Sequence, residues 1–180
     1  MDLNGTKVVL RKATEADRRN IFEWLTHSDV TPSMMGPPLF PDARIPTWAE
    51  FCEDYRPHYF DDSQPHQGRC FILVVDGTDV GVVCHNAFHD DTTDLDIWLR
   101  SEADCGKGIG SEAIRTITNY LNREFGIKRI AISPSARNPR AIAAYRKAGF
   151  ELVKDETASQ FIKPEGTDYS DNLVLVKRYQ

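Results

Sequence analysis

The stretch "TTDLDIWLRSEADCGKGIGSEAI", Thr92–Ile114, decides the fold. Side chains of a strand point to opposite faces in turn. Leu95, Ile97 and Leu99 therefore share one face, while Asp94, Asp96 and Trp98 share the other. The aliphatic face reads as core, which leaves two carboxylates and an indole together. Three glycines follow at 106, 108 and 110, and then Ala113, Ile114, Ile117, Tyr120 and Leu121 recur at helical spacing. A strand, a glycine loop and a helix start can hold a phosphate, because the first N–H groups of a helix are unpaired and its dipole favours an anion. Taken alone, the same loop reads as a turn that only starts a helix.

Two better-known phosphate motifs fit poorly. Lys107 is followed by Gly108 rather than Ser or Thr, so the loop is not a P-loop. Gly108–Ala113 matches G-x-G-x-x-A, but the region about 20 residues on, Lys128–Ile132, lacks the acid a dinucleotide fold places there.

Outward from this centre the chain alternates short strands and helices. Thr6–Arg11 reads as a strand, followed by a helix over "ATEADRRNIFEWL" with Thr14 and Asp17 as its capping pair. Five prolines between Ser28 and Pro46 argue against a regular helix there. Thr47 caps a second short helix that breaks near Pro57. Cys70–Val75 and Val80–Phe88 read as a hairpin turning at Asp76-Gly77. After the long helix, Lys128–Ser133, Glu151–Thr157 and Leu173–Arg178 read as strands, with a helix from Pro139 or Arg140 to Ala148. The class is α/β (α+β), with a mostly antiparallel sheet of six to seven strands and about four helices.

With 180 residues, 41% hydrophobic and 27% charged, one globular domain over 1–180 is expected. No apolar run reaches membrane-spanning length, and the N-terminus is not a secretory signal. A net charge of -5 argues against a nucleic-acid partner and is compatible with a cationic one. Four scattered cysteines without a CxxC pair suggest reduced thiols in cytoplasm. His85 and His89 would share a strand face, but no further ligand stands at metal spacing, so no metal is expected.

The segment "SARNPRAIAAYRKAGFELV", Ser135–Val153, together with the glycine loop and the opening "VVLRKATEAD", resembles the GCN5-related N-acetyltransferase (GNAT) family. The resemblance runs from about Thr6 to Val176, with residues 28–66 the least family-like, a variable substrate-covering segment that includes Met34 and Met35. It implies acetyl-CoA as cosubstrate, with backbone groups of Ile97, Trp98 and Leu99 pairing with pantetheine. Amides of Cys105, Gly106, Lys107, Gly108, Ile109, Gly110 and Ser111 would cradle the pyrophosphate. Cys105 stands where the family usually has Gln or Arg, which weakens a side-chain contact only. Asn138 would hold the pantetheine region, and Tyr145 would protonate the departing thiolate. On its own, Tyr145 reads as a core residue.

Amide formation needs a neutral amine, and a carboxylate beside it can hold the cation and remove its proton. "GKGIG", an acid ten residues before its first glycine, Gly106, and "PSARNPRAIAAYRKAGFE" together resemble the aminoglycoside N-acetyltransferases. That subgroup implies Asp96 as the acid at the accepting amine. Asp94, spaced for a second amine, and Asp90, Asp91 and Glu102 would attract a polycation. Trp24 and Trp98, with Trp48, would offer platforms for sugar rings, and the unusual 28–66 segment admits an atypical aminoglycoside of the kasugamycin type. The partner is then a small cationic amine, with a monomer or homodimer as the assembly. Two alternatives stay open: a protein N-terminal acetyltransferase of the ribosomal-protein type, and a non-catalytic acyl-CoA-binding module.

Overall fold

The computed structural model describes residues 2–34, 45–153 and 173–180. Among them run β1 Leu3–Asn4, β2 Val9–Lys12, α1 Arg18–Thr26, α2 Thr31–Met34, α3 Trp48–Asp54, β3 Gly68–Val75, β4 Thr78–Asn86 and β5 Thr92–Leu99. These are followed by α4 Ile109–Phe125, β6 Arg129–Ile132, α5 Pro139–Lys147, β7 Glu151–Val153 and β8 Val174–Arg178. The strands form one sheet in the order β1-β2-β3-β4-β5-β6-β8-β7, in which only β5 and β6 pair in parallel.

Alternation along the strands divides the core between the two sheet faces. Leu95, Leu10, Phe71 and Leu73 pack with Ile114, Ile117 and Leu121 of α4. On the other face, Ile72, Val82 and Trp98 pack with Ile21 and Phe22 of α1 and Phe51 of α3. Thr47 starts α3 as expected, its hydroxyl accepting from Glu50 N–H while Glu50 caps Thr47 N–H in return. Such a reciprocal box satisfies two N–H groups that a bare helix start leaves unpaired.

Several sequence expectations are corrected. Residues 6 and 7 bend rather than extend, because Gly5 N–H closes onto Val8 O at 2.8 Å, so the sheet gains the two-residue strand β1 and reaches eight strands. A short helix does form in the proline-rich loop. Pro32 stands in the first turn of α2, where a helix uses no N–H from it. β4 ends at Asn86, and His89 lies in a turn bridged to Thr92, so His85 and His89 do not share a strand face. Cys70 and Cys84 stand opposite each other in the β3–β4 register and are joined as a disulfide, leaving Cys52 and Cys105 free. Met35 and the end of the Glu151–Thr157 strand lie outside the described residues.

Candidate active site

The parallel junction is short. β5 and β6 pair only at Thr92↔Arg129, Thr93↔Ile130 and Asp94↔Ala131, while β4 follows β5 all the way to Leu99. The two strands part beyond Asp94. Arg100 N–H donates to Val80 O at 2.8 Å, and bonded pairs in an antiparallel ladder alternate. The main-chain groups of Trp98 therefore turn to β4, and those of Ile97 and Leu99 turn into the parting. Of the three expected backbone contacts, two face the opening and Trp98 does not.

The glycine loop closes the wide end of this parting. Gly108 is the N-cap of α4 with φ of 83°, a left-handed conformation that glycine adopts without strain. Among the described residues, the N–H groups from Gly106 to Ser111 have no backbone acceptor, the first helical bond being Glu112 N–H to Gly108 O. Such a run of free donors at the positive end of a 17-residue helix is a cradle for a polyanion. Cys105 is not part of it, because its N–H donates to Glu102 O at 3.0 Å and its Sγ lies 3.5 Å from Ser101 O. Lys107 is exposed at the rim, Ile109 is core, and Ser111 Oγ ties α4 to Ala144 O of α5 at 3.1 Å.

Asp94 and Asp96 lie on the α1–α3 face at the parting. Asp96 Oδ2 accepts from Tyr55 hydroxyl at 3.1 Å and from Asn86 Nδ2 at 3.0 Å. Asn86 Nδ2 also donates to Asp94 Oδ2 at 2.6 Å, and Tyr59 hydroxyl donates to Asn86 Oδ1 at 2.8 Å. Among the described residues, Asp96 Oδ1 has no partner and no cation pairs with Asp96. The other expected acids behave differently. Asp91 pairs with Arg129 at 2.6 Å and Glu102 with Arg140 at 2.8 Å, so each is neutralised in place, its carboxyl held below its usual range by that arginine. Asp90 is exposed in the turn before β5.

Tyr145 belongs to the core on the opposite face, with α4. Its ring is 8% exposed and packs near Phe150, and among the described residues its hydroxyl makes no hydrogen bond. Burial raises its pKa, and the charge of Asp96 raises it further, so the phenol holds its proton through neutral pH and lies within electrostatic reach of that carboxylate.

Two expected residues are spent elsewhere. Asn138 caps α5 through Ala141 N–H at 3.0 Å, and its Nδ2 donates to Ser33 O at 2.9 Å, so both ends of the amide bind protein. The Trp98 ring is 5% exposed, with Nε1 donating to Ile21 O at 3.1 Å, and offers no face to a sugar. Trp24 is half-buried at the edge of the same cluster, and Trp48 is exposed, stacked on Phe51. Sequence reasoning missed Tyr55, Tyr59 and Asn86. The local pattern holds no signal for them, since they meet Asp96 only through strand pairing and the packing of α3.

The family model described as acetyltransferase (GNAT) domain matches residues 7–151. The aminoglycoside N(6')-acetyltransferases type 1 of Klebsiella pneumoniae and Serratia marcescens are 29% identical over 160 residues, covering 82% of this chain and 76% of theirs. Among solved structures, AAC(6')-Ib in complex with paromomycin and acetyl-CoA superposes with a TM-score of 0.70 at 24% identity, covering 97% of this chain and 94% of that one. The ribosomal L7/L12 α-N-protein acetyltransferase RimL in complex with coenzyme A gives 0.72 at 18% identity, covering 99% and 98%. No metal-holding group of His, Cys, Asp or Glu occurs among the described residues, and no described helix is long and apolar enough to cross a membrane.

Proposed function

The chain belongs to the GNAT acetyltransferase family, and we propose that it transfers an acetyl group from acetyl-CoA to an amine of an aminoglycoside by direct attack in a ternary complex. One observation carries the substrate reading: among the described residues, Asp96 keeps an oxygen without a partner and has no cation of its own, beside Asp94, at the parting of β5 and β6. A site that leaves a carboxylate without a cation in a half-buried cleft is built for a cation from outside. The names of the relatives from Klebsiella pneumoniae and Serratia marcescens support the same substrate class.

The cofactor fits the residues present. Free N–H groups from Gly106 to Ser111 suit the pyrophosphate, and the open main-chain groups of Ile97 and Leu99 suit the amides of pantetheine. When bound, acetyl-CoA supplies an activated acyl carbon and a thiolate leaving group. Asp96 Oδ1 holds the ammonium and takes its proton, directly or through water, while Asp94 draws a second amine. As the C–N bond forms and the C–S bond breaks, Tyr145 gives its proton to the departing sulfur, and the second proton that the nitrogen sheds on becoming an amide restores the phenol, directly or through water. No acyl-enzyme is invoked, since burial raises the Cys105 thiol and its Sγ points at a carbonyl.

The segment 28–66 covers the substrate in this reading. Its described part is anchored beside the cradle, with Asp29 accepting from Glu102 N–H at 2.8 Å. A cytoplasmic location suits an enzyme that draws on acetyl-CoA. The test is an acetyl-CoA consumption assay against kanamycin, other aminoglycosides, kasugamycin and N-terminal peptides. Turnover with aminoglycosides and none with peptides is expected. Turnover confined to peptides would overturn the substrate class while keeping the family.

A further inference from the structure

We propose that Asn86 is the positioning residue of the acid pair: its side-chain amide, backed by Tyr59, gives one proton to Asp94 and the other to Asp96. The inference rests on the reading of Asp96 as the group that meets the amine. A side-chain amide has two donor hydrogens and one acceptor oxygen. At Asn86 all three sites are filled, by Asp94 Oδ2 at 2.6 Å, Asp96 Oδ2 at 3.0 Å and Tyr59 hydroxyl at 2.8 Å. The reverse orientation would press a carbonyl oxygen against two carboxylates, so the network itself fixes which way the amide points.

Asn86 cannot easily drift. It is 7% exposed, and its carbonyl accepts from Thr93 Oγ1 at 2.9 Å. Tyr59 is equally fixed. Gly68, directly opposite Asn86 in the β3–β4 register, has φ of 138°, and a Cβ there would fall 2.4 Å from the Tyr59 ring. Burial and the charges of Asp96 and Asp94 raise the Tyr59 pKa, so its hydroxyl remains a donor. The titratable groups facing Asp96 are Asp94 on its own strand, Tyr55 and Tyr59 from the α3 side and Tyr145 from α5.

The consequence is geometric. Two like charges on one strand face repel, and alternative rotamers would separate them. One amide between them holds both Oδ2 atoms and leaves Asp96 Oδ1 as the atom available to the amine. Asn86 touches no reacting atom and acts only through the two acids.

A ligand-free measurement tests the clamp. In the 1H–15N spectrum of the free protein, both Asn86 side-chain amide protons should be shifted downfield and slow to exchange with water. Asp94→Ala should release one of them and Asp96→Ala the other, because each change removes the accepting oxygen. Amide protons resembling those of a solvated asparagine would overturn the clamp, whatever the protein acetylates.

Kinetics then test its consequence. Asn86→Ala should lower kcat about 10- to 100-fold, the range for losing a hydrogen bond to a charged group. In an Asp96→Asn background the same change should cost less than about threefold, because coupled residues are not additive. A full loss in both backgrounds would mean a general structural defect and overturn the positioning role. A wild type inactive on every amine would instead sink the substrate reading, and the amide spectrum would still decide the clamp.

Discussion

Asp94 and Asp96 differ in what each can do. Asp96→Asn keeps the shape but cannot take a proton, so kcat should fall most near neutral pH and partly recover as rising pH supplies free amine. Asp94→Asn should chiefly raise KM, since it removes attraction that acts in ground and transition states alike. Steady-state kinetics of both variants from pH 6 to 9 separate the two outcomes. Tyr145→Phe deletes a proton donor and keeps the ring, so turnover should fall about 100-fold with little change in Tm. Unchanged turnover would leave Tyr145 as a packing residue. At this scale the acid pair was legible, because alternation in a strand is a local pattern. Its partners were not: Asn86 lies eight and ten residues from Asp94 and Asp96, and Tyr59 lies 27 from Asn86, joined only by pairing and packing. Asn138 and Trp98 stand in other networks for the opposite reason. Their residue types fit a ligand, yet a helix end and a buried core use their polar atoms first.

The helix start is the element on which cofactor binding turns. Gly108→Val would force a β-branched residue into φ of 83°. A Cβ there meets nothing within 4 Å, so the change acts through the backbone and not through a clash. A strain of about 1–2 kcal/mol is expected, relieved by a turn that no longer aims its N–H groups. Coenzyme A affinity, measured by calorimetry, should drop at least tenfold in a variant that still folds. Equal affinity would reduce the loop to a turn. Sequence placed this helix within a residue because glycine, cap and apolar spacing agree there. It missed α2 because a proline count cannot tell the first turn of a helix from its interior, and it missed β1 because two residues carry no periodicity.

For the whole molecule, the two-faced sheet followed from alternation, whereas the pairing of Cys70 with Cys84 depended on a register that no local pattern reveals. His85 gives a global pH signature. It is 1% exposed, and burial pushes its pKa down to about 4. An unfolded histidine titrates near 6.5. Between these values the unfolded chain binds a proton that the folded chain refuses, so stability falls as pH drops through the window and gains nothing from this residue above it. The slope is at most about 1.4 kcal/mol per pH unit. Thermal melts from pH 4 to 7.5 should show a steeper acid decline in wild type than in His85→Gln, and parallel curves would refute the assignment.

The strand order also sets a timetable for synthesis. β8 leaves the ribosome after β6 and β7, yet it lies between them and is the neighbour through which β7 joins the sheet. β1 to β5 pair in sequence and can assemble as each one emerges, as neighbouring strands of low sequence separation do. The far wall of the cleft cannot. A nascent chain stalled before Val174 should protect β3 and β4 from protease while leaving Arg129–Ile132 open to cleavage, and early protection of that strand would contradict the order. The cleft that would hold the thioester is therefore closed only once β8 has emerged, so a chain stalled before it carries its acids and its cradle without the wall that brings them together.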